Sequence, residues 1–117
     1  MNVIIAGTRT INNYSYLEQA IEESKFEITK VLCGGCRGVD ELGRQWAIKN
    51  QKPYDLHLAK WEEEGRKAGV LRNQRMVEHA DALIVIWNEI SKGTADVIRR
   101  AERKGIPVYK FIIKTTH

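Results

Sequence analysis

Several absences narrow the reading of this chain. No apolar run approaches the ~20 residues that a membrane span needs, so a membrane partner is not expected. The opening Met1-Asn2-Val3-Ile4-Ile5 lacks the basic segment of a signal peptide and reads as a strand; a cytoplasmic protein is expected. Nineteen Lys and Arg against fifteen Asp and Glu leave a net charge of only +4. Both signs intermingle, as in Glu62-Glu63-Glu64-Gly65-Arg66-Lys67. No basic stripe alternates with aromatics, so nucleic acid is a disfavoured partner.

Cysteine is scarce: two residues, in Cys33-Gly34-Gly35-Cys36. Zinc would need two more ligands, and His57, His79 and His117 have no ligand spacing, so no metal is expected. The spacing also occurs in thioredoxin-like redox motifs. The reading preferred here is that Cys33 ends a buried strand and Cys36 is a small turn residue. Low-complexity stretches, repeats and linkers are absent, and 117 residues make one domain, 1–117.

What is present alternates in type. Strand patterns cover Asn2–Ala6, Ile28–Cys33, Tyr54–Leu58, Ala82–Trp87 and Ile106–Ile112. Helical patterns cover Asn13–Ser24, Arg37–Asn50, Val70–His79 and Thr94–Lys104. Ala59–Gly69 reads as a longer loop with room for a helical turn. The run Leu83-Ile84-Val85-Ile86 implies a strand buried on both faces, and Pro107 suits an edge strand. The expected fold is α/β: a Rossmann-like, doubly wound parallel sheet of about five strands, with helices on both faces. Right-handed crossovers favour the order 3-2-1-4-5, whose switch point lies between strands one and four.

Three clusters fall where such strands end and helices begin: Gly7-Thr8-Arg9, Gly34-Gly35-Cys36-Arg37-Gly38-Val39-Asp40 and Ser91-Lys92-Gly93-Thr94. Glycines let backbone approach a ligand, and helix N-termini there favour anions. Arg37 adds a phosphate fork. The second cluster lacks the Gly-Lys-Ser/Thr ending of a P-loop. Asp40 either complements its helix N-terminus or holds a ribose hydroxyl. Ser91 or Thr94 either caps a helix or meets an anion. Arg72-Asn73-Gln74-Arg75 is expected to open a helix, where positive charge opposes the dipole; that conflict points to a ligand, the alternative being solvated arginines. Trp61 and Trp87 each either stack on a base or join the core, while Trp46 belongs to the core.

These segments resemble a known group. Ala6-Gly7-Thr8-Arg9, the Gly34–Asp40 cluster, Trp46-Ala47, Ala68 through Met76, Ala80-Asp81-Ala82-Leu83-Ile84-Val85, Ser91–Thr94 and Gly105-Ile106-Pro107-Val108 occur in order. Together they are similar to the YspA-type, cpYpsA-related branch of the SLOG superfamily, whose small members are frequent in phages and mobile elements. The superfamily includes the LONELY GUY phosphoribohydrolases, the DNA-processing protein DprA and sensor domains for NAD-derived signals.

Arg72, Met76 and Gly93-Thr94 match the LONELY GUY pattern, but its Pro-Gly-Gly is missing and Val97 stands at the catalytic glutamate. Gly38-Val39-Asp40 and Arg72-Asn73 also resemble DprA, whose binding of single-stranded DNA is a third reading. The resemblance implies an oligomer, dimer or tetramer, that binds a nucleotide-derived small molecule such as an ADP-ribose or NAD-like or cyclic-nucleotide signal. No further cofactor is required. Sequestration of that signal, as in phage counter-defence, is the implied use.

Arg9, Arg37 and Arg72 would meet phosphates together with Asn73, Thr94 and the backbone of Gly7, Thr8, Gly34, Gly35, Gly38, Ser91 and Gly93. Asp40 would take a ribose hydroxyl and Trp87 a base; a second subunit would add Trp61 or Arg66. The alternative is a hydrolase of N-glycosidic or phosphate bonds, with Asp40, Glu41 or Asp96 as acid and base.

Overall fold

A computed structural model describes residues 1–114; His117 lies outside the described residues. Eleven short elements follow in order. They are β1 (Asn2–Gly7), α1 (Tyr14–Ser24), β2 (Lys30–Cys33), α2 (Val39–Lys49), β3 (Tyr54–Leu56), α3 (Trp61–Glu64), a 3-10 turn (Gly65–Lys67), α4 (Ala68–His79), β4 (Ala82–Trp87), α5 (Lys92–Lys104) and β5 (Val108–Ile112). The sheet has five strands in the order β3-β2-β1-β4-β5, every pair parallel. This is the Rossmann-like α/β arrangement with the strand order expected from the sequence.

Residue alternation along the strands builds two cores. Val3 and Ile5 of β1 and Ala82, Ile84 and Ile86 of β4 point to the face where Leu17, Val39 and Leu42 of α1 and α2 pack. Ile4, Ala6, Leu83 and Val85 point to the opposite face, against Met76 and Val77 of α4 and Val97 and Ile98 of α5. Residues 82–86 are buried throughout, which accounts for the unbroken apolar run. Each fully buried Ile or Leu is stabilised by about 1.5–3 kcal/mol relative to exposure.

Local signals end the helices. Asn13 caps α1, its Oδ1 accepting from the Ser15 N–H at 3.0 Å. Gly105 closes α5 in the left-handed region at φ 87°, donating to the Ala101 and Glu102 carbonyls. The Lys104 ammonium reaches across to α4 and donates to the Val77, Glu78 and Ala80 carbonyls at 2.8, 3.1 and 3.0 Å, where the helix dipole favours a cation.

Several boundaries differ from expectation: β2 begins at Lys30 rather than Ile28, α2 at Val39 rather than Arg37 and α5 at Lys92 rather than Thr94, and three others have identifiable causes. The third strand stops at Leu56, and Leu58 stands exposed beyond it. The fifth begins at Val108, because Pro107 has no N–H for the ladder and only its carbonyl accepts, from Leu83. The helix expected to open at Val70 opens at Ala68, directly after α3 and the 3-10 turn. Arg72 therefore lies beyond the first turn of α4, and the expected conflict with the helix dipole is absent.

Candidate functional site

The loops after β1, β2 and β4 converge with α4 at the carboxyl edge of the sheet, over the switch point. They enclose a crevice of about 60 Å3. Its walls include Gly7 and Arg9 after β1, Cys36 and Asp40 after β2, Arg72, Asn73 and Met76 on α4, and Ser91, Gly93, Thr94 and Val97 at the start of α5.

Two glycines make this convergence possible. A β-carbon on Gly7 would overlap the Ile86 carbonyl oxygen and stand 2.8 Å from Val39 Cγ2. Gly38 has φ +78°, and a β-carbon there would overlap the Arg9 carbonyl group. These contacts press the β2–α2 loop onto the β1 loop.

Gly38 is also the N-cap of α2 and supplies no side-chain cap, so that terminus keeps unpaired N–H groups. The N-terminus of α5 is partly satisfied: Ser91 Oγ accepts from the Thr94 N–H at 3.4 Å and from Thr94 Oγ1 at 3.1 Å. The capping role weighed for Ser91 is thus its role in the fold, although the residue also lines the crevice.

Arg72 is positioned by its neighbours. Its Nε donates to Asn73 Oδ1 at 3.0 Å, and its Nη1 donates to the Gly34 carbonyl. Asn73 is held in turn, donating to Asp96 Oδ2 at 3.0 Å and the Gly93 carbonyl at 3.3 Å. The guanidinium is thus held in place by the protein's own groups.

Asp40 is buried, 7% exposed, with Oδ2 accepting the Cys36 N–H at 3.3 Å. Burial pushes its carboxyl up to about 6; the Arg72 charge, the Cys36 hydrogen bond and the Arg9 charge pull the other way without cancelling that push. The crevice thus combines two guanidiniums with a carboxyl that titrates near neutrality.

The remaining sequence candidates lie elsewhere. Thr8 is buried behind the crevice and bonded to Asn88. Gly34 is buried against Arg72 and outside the lining, whereas Gly35 meets Leu58 on the far side of the loop. Arg37 is exposed and outside the lining. Glu41 pairs with Arg44 along α2 and does not line the crevice.

Asp96 faces away from the crevice, accepting from Asn73 and from Arg100 Nε at 2.9 Å between α4 and α5. Trp87 packs on the α4–α5 side, its Nε1 donating to the Ser91 carbonyl at 3.1 Å. Trp46 packs against the other core, as expected, and Trp61 is exposed.

Sequence reasoning did not mark Cys36 or Asn88 as site-forming. Cys36 lines the crevice with its Sγ 4.0 Å from Arg72 Nη1. Asn88 follows a strand and precedes a helix cap, a position where Asn commonly folds a turn, and that signal was available. Both thiols are free, and Cys33 is buried as expected. Among the described residues no cluster of three or more potential metal ligands occurs, and no helix is long and apolar enough to cross a membrane.

The chain is similar to Gene 61 protein of Mycobacterium phage D29, with 36% identity over 120 residues covering 93% of this chain and 94% of the relative. This chain belongs to the same family as that phage protein. No protein-family model and no solved structure matches it. The similarity extends across nearly the whole length of both family members.

Proposed function

We propose that the crevice is an anion site that takes one phosphate group of a nucleotide-derived small molecule, and that the protein binds this molecule rather than cleaving it. The observation that carries the reading is the meeting of Arg9, Arg72 and Asp40, which stands in the uncapped first turn of α2, in one small space at the switch point. Size supports a single group. One water needs roughly 10–15 Å3, and whole-ligand pockets run to roughly 300–1,000 Å3. At about 60 Å3 the crevice suits a phosphate, with the rest of the molecule lying outside it.

Binding rather than turnover is favoured by Val97, an apolar wall where the resembled hydrolases carry glutamate. Glu41 and Asp96 lie outside the lining. The hydrolase alternative keeps one candidate, Asp40, whose carboxyl near 6 has the proton affinity of a general acid or base.

The proposal includes membership of the YspA-type SLOG branch, a cytoplasmic setting, a homo-oligomer and an ADP-ribose, NAD-like or cyclic-nucleotide signal as ligand. Sequestration of such a signal is consistent with kinship to a phage protein. The decisive experiment is calorimetric titration with ADP-ribose, NAD and cyclic nucleotides, followed by chromatography of the recovered ligand. Saturable binding with intact ligand, lost in Arg72→Ala, is the expected result. Product formation abolished by Asp40→Ala establishes the hydrolase instead, and no binding of any of them removes the basis for both.

A further inference from the structure

We propose that the groove beside β3, lined by Leu56, Leu58, Ala59, Lys60 and Trp61, is the base-binding half of the site and stacks an amino-bearing nucleobase on Trp61. This rests on the anion reading of the crevice and extends it to the class of ligand, a nucleoside monophosphate or a larger molecule ending in one.

Crevice and groove lie to either side of the β2–α2 loop, and the residues of both touch α4. In the β2–α2 loop, a β-carbon on Gly34 would lie 2.5 Å from Arg72 Nη1 and 2.8 Å from Asp40 Oδ2, on the crevice side. On the next residue, Gly35, it would lie 2.5 Å from Leu58 Cδ2, on the groove side. In α4, a β-carbon on Gly69 would meet the Trp61 ring at 3.7 Å, while Arg72, one turn further on, lines the crevice. Three helical residues advance about 4.5 Å, so the point on α4 where the α3 indole packs and the Arg72 backbone lie within one turn of each other.

The groove also has what the crevice lacks. Its volume of about 660 Å3 admits a base and sugar. Leu56, Leu58 and Trp61 are 47%, 60% and 57% exposed, an apolar surface with no covering element among the described residues. An indole face binds any base by stacking. Glu62 and Glu63 on its border accept hydrogen bonds from an exocyclic amino group and repel a further phosphate. The other indole considered for this role, Trp87, is committed to the Ser91 carbonyl and the α4–α5 packing.

The test is calorimetry with inorganic phosphate and with AMP on the wild type, Trp61→Ala, Trp61→Phe and Trp87→Phe, with sedimentation of each variant. AMP is expected to bind more tightly than phosphate. Trp61→Ala is expected to weaken AMP by roughly 5- to 150-fold, the range for loss of one stacked base, and to leave phosphate unchanged. Trp61→Phe, which keeps an aromatic face, retains most of the AMP affinity. The inference is overturned if AMP binds no better than phosphate, or if the loss follows Trp87→Phe instead. It is equally overturned if Trp61→Ala turns an oligomer into a monomer while AMP binding persists, since the groove is then a contact between copies. If wild type binds neither probe, the anion reading itself falls.

Discussion

Thr8 and Asn88 hold each other across the switch point. The Thr8 hydroxyl accepts the Asn88 N–H at 3.1 Å and donates to Asn88 Oδ1 at 3.2 Å. The same Oδ1 accepts from the N–H groups of Ile90 and Ser91 at 2.9 and 3.1 Å, folding the loop that leads into α5. One buried hydroxyl therefore fixes the spacing between two walls of the crevice. Thr8→Val keeps the shape and strands its partners. A loss of about 1–3 kcal/mol is expected, read as a lower urea midpoint with an unchanged slope. An unaltered midpoint would show that the clasp contributes nothing to stability.

Glycine positions divide sharply. Gly38→Ala places a β-carbon against the Arg9 backbone at positive φ. Strain alone is worth about 1–3 kcal/mol, and the clash adds to it. A β-carbon on Gly93 would have nothing within 4 Å, and this glycine lies in the first turn of α5. Gly93→Ala is expected to be neutral or to stabilise by up to about 1 kcal/mol. Thermal unfolding of both variants checks the contrast; equal effects would contradict it.

Asp40 gives the protein a pH signature. Its folded-state pKa of about 6 stands above the roughly 3.9 of an unfolded chain. Between those values the folded state binds more protons, so this group's stabilisation is full below about pH 4 and is lost as pH rises through about 6. The difference amounts to roughly 3 kcal/mol at about 1.4 kcal/mol per unit. Asp40→Asn is expected to gain on the wild type progressively across that window in urea melts. Sulfate, which does not titrate there, is expected to bind the wild type more tightly at pH 5 than at pH 7.5 and the variant equally at both. Parallel pH profiles would remove Asp40 as their source.

The strand order was legible because few topologies obey right-handed crossovers, and because the buried run 82–86 identified the central strand. That Gly7, Arg9, Asp40, Arg72 and Thr94 would come together in one crevice was legible from their positions around strand ends. The start of α4 was not. Gly69 looks like a boundary, yet it lies inside the first turn of the helix and beside Trp61. Of the two roles weighed for Trp87, packing against the core was already readable: period two along β4 assigns it to the face of Leu83 and Val85, under α4 and α5. The direction of Arg37 depends on the positive φ values of Gly35 and Gly38 on either side, which no periodicity reports.

The two thiols are expected to differ in reactivity. Cys33 is buried, and burial followed by the nearby Asp40 charge pushes its thiol up to about 12. Cys36 is only half-buried and lines the crevice. Iodoacetamide at pH 8 is expected to add once to the native protein, at Cys36, and twice after denaturation. Saturating sulfate is expected to slow the native reaction. Peptide mass spectrometry reads both, and prompt labelling of Cys33 in the native state would contradict the packing.

The pairing of β1 with β4 joins Val3 to Ala82 and Gly7 to Ile86, so the middle of the sheet is made from chain segments far apart in sequence. Closing that pair incurs loop entropy before contacts reward it, which makes folding slow compared with helical domains of this size. During synthesis the first three strands emerge without the neighbour that covers β1. The crevice comes into existence only once Thr94 has left the ribosome and β4 has inserted. An anion of the kind proposed would therefore be recruited only after β4 has docked, and shorter nascent chains would not compete for it.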